Sequence, residues 1–178
     1  ETVLNSNRFF ENAAKGVNML NGFVKISEDG TVELLQHHAD LRQRFCLQYS
    51  YRPRLTVAHS GLLDTLFTGC FGAESEEYGS LILQMYGASI CGVGTRLKEP
   101  KAFILYGQSA ANGKSTIQEV LRRILPHDVI CSISPGDMDK EQYLAKLIGA
   151  SANLSDELSN AAAISSDKFK AVITGDPV

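Results

Sequence analysis

The sequence contains no long hydrophobic run and no excess of positive charge, and both absences restrict its possible functions. No stretch of the 178 residues approaches the roughly 20 consecutive apolar residues that a membrane-spanning helix needs. The start, Glu1 to Asn5, lacks the basic region and apolar run of a secretory signal. We therefore expect a cytoplasmic protein without membrane contact. The net charge of -3 does not by itself indicate nucleic-acid binding, so any DNA contact is expected to be local.

Paired metal ligands are also absent. The four cysteines are far apart and form no Cys-x-x-Cys pair, and the adjacent His37 and His38 have no matching ligand cluster. The cysteines are Cys46, Cys70, Cys91 and Cys131. This pattern favours ordinary thiols and imidazoles over a zinc site.

A hydrophobic content of 44% over 178 residues is enough for a buried core in one or two small domains. Glycines at 92 and 94 and Pro100 interrupt the pattern, which predicts a boundary at about residues 92–101. The predicted domains are residues 1–95, a small α+β region, and residues 96–178.

The first predicted domain contains a β-hairpin followed by two helices. Residues 19–26 and 31–35 alternate around the Asp-Gly turn signal at 29–30. Residues 62–71 and 76–91 have helical periodicity. One face of the second helix would carry Tyr78, Leu81, Ile82, Met85, Tyr86 and Ser89.

Four arginines lie between the hairpin and these helices, interleaved with Phe45, Tyr49 and Tyr51. They are Arg42, Arg44, Arg52 and Arg54. Arginines among aromatic rings are suited to phosphates and bases, so this group is a candidate surface for DNA or a neighbouring subunit. The alternative is a loop with solvated arginines.

The second predicted domain alternates strand and helix, which indicates an α/β fold with a parallel sheet. Residues 102–106 form a short apolar run, as expected of a buried strand. A helix should follow with one apolar face, end before Pro126, and carry Arg122 and Arg123 in its last turn. That face comprises Ile117, Val120, Leu121, Ile124 and Leu125. Residues 129–133 should form a second strand, and residues 140–148 a helix with Tyr143, Leu144, Leu147 and Ile148 inward.

The loop between that first strand and helix has the composition of a phosphate-binding loop. A triphosphate needs backbone N–H donors, a cation near its β and γ groups, and a hydroxyl on Mg²⁺. Lys114 would supply the cation and Ser115 the magnesium ligand. The candidate nucleotide-binding residues are Gly107, Gln108, Ser109, Ala110, Ala111, Asn112, Gly113, Lys114, Ser115 and Thr116.

The glycine spacing departs from the usual G-x-x-x-x-G-K-[S/T] pattern, because Gln108 stands six residues before Lys114, where the first glycine belongs. Either the loop has one extra residue, or Gln108 takes the first position and Gly107 makes the turn. A chance Gly-Lys-Ser at a helix start is the alternative to nucleotide binding.

Hydrolysis of ATP needs an acidic pair at a strand end, and Asp156-Glu157 after residues 152–155 is the best candidate. A capping or surface role for these acids is the alternative. The acids at 137 and 139 lie among glycine and proline, which indicates a turn or helix cap.

In these motifs the chain resembles the phage and plasmid primase-helicases, a family that includes the poxvirus primase-helicase, within the superfamily 3 helicases. The resemblance covers nearly the whole chain. It lies in Asn18 to Phe23, the two helices, Ile104 to Gly107 with Asn112 to Ser115, Asn153 to Leu158, and Lys170 to Asp176.

The resemblance implies part of a P-loop ATPase (AAA-like) sheet, in a ring-forming motor, usually hexameric, that hydrolyses ATP and moves along single-stranded DNA in a bacterial host or virus-infected cell. Lys114 and Ser115 match its phosphate and magnesium positions, Glu157 its catalytic acid, and Asp156 the neighbouring acid on the metal. Residues 168–176 match the motif that leads to its DNA-contacting hairpin. Nothing here corresponds to the primase activity of many relatives, and the family's sensor strand and arginine finger would lie beyond Val178.

Three hypotheses follow. The first is an ATP·Mg²⁺-binding part of a helicase motor. The second is an assembly module in which nucleotide orders the fold without turnover. The third, a small-molecule kinase, is disfavoured because no arginine-rich lid follows the loop.

Overall fold

Mixed α and β structure makes up the chain, with a three-stranded antiparallel sheet and a two-stranded parallel sheet. The computed structural model describes residues 13–53, 60–92, 98–107, 111–156 and 166–176. It divides into two compact units, Glu1–Leu55 and Thr56–Val178. The predicted domain boundary near residue 95 stays a prediction. The helices at residues 60–90 share the second unit with the candidate loop.

The first unit is built on strands β1 (Gly16–Met19), β2 (Gly22–Ile26) and β3 (Val32–Leu35). The β2–β3 hairpin confirms the predicted alternation around the Asp-Gly turn, with Ile26 opposite Val32. The single run predicted for residues 19–26 was wrong, because the chain reverses between Met19 and Gly22, which face each other across the β1–β2 turn. The Asn-Gly pair at 21–22 is a hairpin signal that explains this reversal.

The core of this unit is formed by residues of β1, of β2 and of the loop that follows β3. It contains Val17, Phe23, Val24 and Leu47, all buried, and Phe23 has no exposed surface. Leu47 makes a parallel bridge to Met19. The loop that carries the candidate arginines therefore runs along β1.

Helices α1 (Ser60–Phe71) and α2 (Ser75–Ile90) open the described part of the second unit and confirm the two predicted helices. Phe67 of α1 is buried against Gly79 of α2, so closely that a Cβ at Gly79 would lie 2.7 Å from the Phe67 ring. Of the predicted inward face, Ile82 and Tyr86 are buried, whereas Tyr78 and Leu81 are exposed. The absence of a side chain at Gly79 therefore allows the two helices to pack closely.

Helix α3 (Lys114–Ile124) confirms the helix predicted after the loop. Ile117, Leu121 and Leu125 are buried, and Val120 and Ile124 are half-buried. The apolar stripe therefore packs inward as predicted, and the chain leaves the helix at Leu125, just before Pro126.

Two short parallel strands follow, β4 (Ile130–Cys131) and β5 (Ala152–Asn153), each within a region predicted to be a strand. Helix α4 (Glu141–Leu144), continued by a 3-10 turn to Leu147, connects them. Helix α5 (Asp167–Thr174) is the last described element, with Ser166 as its N-cap.

Two predictions in this unit were wrong. The apolar run at 102–106 forms no strand, and Phe103, Ile104 and Tyr106 are 45%, 51% and 82% exposed. A strand needs a neighbour for its N–H and C=O groups, and none of the described residues pairs with this run. Ile148 was predicted to face inward but is exposed, because the helix ends before it.

None of the helices in the described ranges is both long and apolar enough to cross a membrane.

Candidate nucleotide-binding site

Residues from the beginning and from the end of the candidate loop lie close together. Gly107 lies against the side chain of Asn112, where a Cβ on Gly107 would overlap Asn112 Nδ2 and lie 3.2 Å from Lys114 Nζ. The same lysine Nζ donates to Asn112 Oδ1 at 2.5 Å. Gly107, Asn112 and Lys114, three of the candidate nucleotide-binding residues, therefore lie together.

The backbone just before α3 enters the left-handed region at two positions. Ala111 and Gly113 both have positive φ, 57° and 81°. Gly113 is the N-cap of α3 and provides no side-chain cap, and the first turn contains no acidic residue. The N–H groups at a helix start need acceptors, and a phosphate is a suitable one. Ser115 and Thr116 are exposed on this same turn.

The helix pair α1–α2 supports the start of α3. Gly113 lies against Cys70 of α1, so a Cβ at this position would overlap the Cys70 sulfur. From α2, the buried Tyr86 hydroxyl donates to Ile117 O at 2.5 Å. Burial is the main cause, and the neighbouring Cys70 a lesser one, of a rise in the pKa of Tyr86 to about 12. These contacts hold the start of α3 against α1 and α2.

Side chains of α3 also hold the acidic segment that follows β5. Gln118 Nε2 donates to Ser155 O at 3.4 Å, and Arg122 donates to Leu154 O at 3.3 Å. The Arg122 guanidinium also pairs with Asp156 Oδ1 at 3.1 Å. One face of α3, the helix that follows the candidate loop, therefore contacts the segment that carries the candidate metal-binding acid.

One polar atom at this junction has no hydrogen-bond partner among the described residues. It is the buried Gln118 Oε1. A buried amide oxygen normally accepts a hydrogen bond from the protein or from water. Gln118 therefore presents an unused acceptor beside the acidic segment.

An asparagine side chain completes the end of β5. Asn153 Oδ1 accepts from Ile133 N at 2.8 Å, and Asn153 Nδ2 donates to Ile133 O at 2.9 Å. This pair extends the β4–β5 ladder by one step through a side chain. The need for that amide explains why residues 152–155 are less apolar than a usual buried strand.

The remaining predicted site residues lie outside the described residues: Gln108, Ser109, Ala110 and the candidate catalytic acid Glu157. Asp156 is exposed, and its role on a metal stays a prediction. The acid at Asp137 has the predicted turn chemistry, because it accepts from Ser134 Oγ and from Lys140 Nζ. Those two bonds hold the pKa of Asp137 below its usual value, with the Lys140 bond the larger cause.

Gln118 and the structural role of Arg122 were missed from the sequence. Arg122 was interpreted only as a cation that suits the end of a helix. Lys114, Gln118 and Arg122 are each four residues apart, which places three long polar side chains on one helix face. This spacing is the sequence signal that indicates a polar contact surface on α3.

In the first unit, Arg44 and Arg52 are exposed, Arg42 is half-buried with a left-handed backbone, and Arg54 lies outside the described residues. In the parts of the chain that the structure covers, no three His, Cys, Asp or Glu residues are grouped to hold a metal.

A protein-family model described as "Family of unknown function (DUF5906)" matches residues 105–178. The match contains the loop, α3, both parallel strands and the acidic segment. No curated protein matches the chain.

Proposed function

We propose that this chain is the ATP-binding part of a DNA helicase of the phage and plasmid primase-helicase type, which couples ATP hydrolysis to movement along single-stranded DNA. The observation that carries the proposal is the loop around Gly113. The backbone is left-handed at Gly113, and the first turn of α3 follows without a side-chain cap. Lys114 belongs to this turn, so its ammonium group and the first N–H groups of the helix belong to the same short segment. A loop of this shape with a lysine and a hydroxyl residue is suited to a triphosphate.

Each residue has a defined task in this proposal. Lys114 exchanges its bond to Asn112 for the β and γ phosphate oxygens, and the first N–H groups of α3 receive the remaining charge. Ser115 and Asp156 would hold Mg²⁺, which neutralises phosphate charge when bound. Glu157 accepts the proton of the attacking water. Gln118 and Arg122 keep the acidic segment at the face of α3.

The parallel pair β4–β5 supports the finer fold that goes with this function, a P-loop ATPase sheet of the AAA-like kind. The helix α4 connects the two strands, and the acidic pair begins three residues after the end of β5. Ligands of open α/β sheets bind at the carboxyl ends of the strands. The exposed apolar residues of the run 102–106 offer a surface that association with another copy would bury, which suits a hexameric ring.

A second candidate function is an assembly module that binds nucleotide without turnover. The observation that favours it is the ion pair between Asp156 and Arg122, since a metal ion would have to compete with that guanidinium for the carboxylate. Nucleotide would then order the loop and promote association while the acidic pair stays structural.

The experiment that separates the two is phosphate release from ATP·Mg²⁺, with and without single-stranded DNA, in the protein and in Glu157→Gln. The glutamine is nearly isosteric but cannot accept a proton, so the variant should bind ATP and release no phosphate. Stimulation by DNA in the parent protein supports the helicase. Turnover at the parental rate in Glu157→Gln would refute the role of Glu157. ATP binding without release in the parent, also when the sensor strand and arginine finger expected beyond Val178 are supplied, would favour the assembly module.

A further inference from the structure

The first unit has a surface depression of about 610 Å³. Its lining includes Leu20, Gln48, Tyr49, Ser50, Tyr51 and Arg52. None of the residues that line it is acidic. Its volume lies within the range of small-ligand sites, roughly 300 to 1,000 Å³.

Hydrogen bonds to the β1–β2 turn hold the aromatic side of this depression in place. Leu20 N donates to Tyr49 O at 2.9 Å. The Asn21 amide makes a two-way pair with Tyr51, donating to Tyr51 O at 2.9 Å and accepting from Tyr51 N at 2.8 Å. The segment therefore presents its side chains on a fixed backbone, with the Tyr51 peptide groups already paired within the protein.

The exposed surface of this site combines apolar area with positive charge. Tyr49 is 49% exposed and Leu20 is 53% exposed, and Arg52 is exposed beside them. Residues 41–63 contain four of the 17 basic residues of the chain and none of its 20 acidic ones. In a chain with a net charge of -3, this concentration of arginine is local and complements a polyanion with flat apolar faces.

We propose that this depression, which we call the Tyr49 site, binds single-stranded nucleic acid. A base stacks on the Tyr49 ring, and the Arg52 guanidinium neutralises an adjacent phosphate. Stacking on an aromatic ring tolerates any base, so we expect binding with little sequence preference. The choice of DNA over RNA rests on the proposed helicase function. The Tyr49 site itself binds single-stranded nucleic acid without ATP.

The test is fluorescence anisotropy of a labelled thymidine oligonucleotide with the full chain, without ATP, over a series of salt concentrations. Tyr49→Ala should weaken binding about tenfold, as expected for the loss of one base–aromatic stack, and Tyr49→Phe should bind like the parent. Arg52→Ser should reduce the slope of log affinity against log salt by about 0.7, the loss of one phosphate contact.

Matched controls lie in the second unit. Tyr78→Ala and Arg123→Ser remove an exposed tyrosine and an exposed arginine there, and both should leave DNA affinity unchanged. Lys114→Ala should lose ATP binding and retain DNA binding, so failure of the nucleotide site and failure of the Tyr49 site are distinguishable. Parental affinity in folded Tyr49→Ala would overturn the proposal, and tighter binding of the matching RNA would overturn the assignment to DNA.

Discussion

Gly113 is restricted by two independent features of the site. Its φ of 81° lies in the left-handed region, and the space where a Cβ would stand is taken by the sulfur of Cys70. The motif in the sequence placed Gly113 in the candidate loop, directly before Lys114. The contact with Cys70, 43 positions earlier in the numbering, could not be predicted, because periodicity does not show which helix packs against a loop.

We predict that Gly113→Ala lowers the free energy of unfolding by about 1–3 kcal/mol, the usual cost of a strained non-glycine backbone, and also weakens ATP binding. Denaturant unfolding measures the first effect. The control is Gly69→Ala, an exposed position within α1 where a Cβ meets no other atom, which should be neutral or stabilising by up to about 1 kcal/mol. Equal stability in the two variants would contradict the packing of Cys70 against the loop.

Tyr86 gives the site a measurable dependence on pH. Burial raises the pKa of Tyr86 to about 12, whereas in the unfolded chain it stays near 10. Between these values the unfolded state loses the Tyr86 proton and the folded state retains it. The Tyr86 contribution to stability is therefore complete below about pH 10 and is lost as pH rises towards about 12.

Tyr86→Phe should be less stable than the parent by about 1 kcal/mol near neutral pH, because the hydrogen bond to Ile117 O is lost. That deficit should shrink, and then reverse, as pH rises from 10 towards 12, since phenylalanine does not titrate. Urea unfolding of both proteins at several pH values measures the difference. A deficit that stays constant over this range would show that Tyr86 is not held in its protonated form by the fold.

Helix α3 is the element that joins the two halves of the proposed active site. Its existence and its apolar face could be predicted, because both depend on local periodicity. Its polar contacts could not, because Gln118 and Arg122 bind residues 37 and 32 positions further along the chain. The strand predicted at 102–106 failed for the same reason, since strand formation depends on a partner that the local pattern does not specify.

Two neighbouring arginines of α3 provide a matched test of that junction. Arg122 is only 26% exposed and bonds both Leu154 O and Asp156, so Arg122→Ala should lower the free energy of unfolding by about 1.5–3 kcal/mol. Arg123 is 77% exposed in a pair with Glu119 one helical turn away, so Arg123→Ala should cost at most about 0.5 kcal/mol. Similar losses in both variants would show that Arg122 does not anchor the acidic segment.

At the scale of the whole molecule, the chain combines a β-rich unit with an α/β unit, and the proposed nucleotide site lies within the second. The sequence predicted a mixture of α and β structure with a parallel strand pair, because local periodicity indicates helices and strands. Sequence reasoning missed the β1 strand and the support from α1 and α2, since these depend on contacts between distant segments.

The most direct test of the account is thermal unfolding with and without ATP·Mg²⁺, comparing the parent protein with Lys114→Ala. At 100 times the Kd, bound nucleotide should stabilise the parent by about 2.7 kcal/mol. Lys101→Ala, which removes an exposed lysine paired with Glu99, is the control and should respond like the parent. We predict that Lys114→Ala shows no stabilisation, because it loses the cation that reaches the β and γ phosphates. Equal stabilisation of Lys114→Ala and the parent would contradict the assignment of this loop as a nucleotide site.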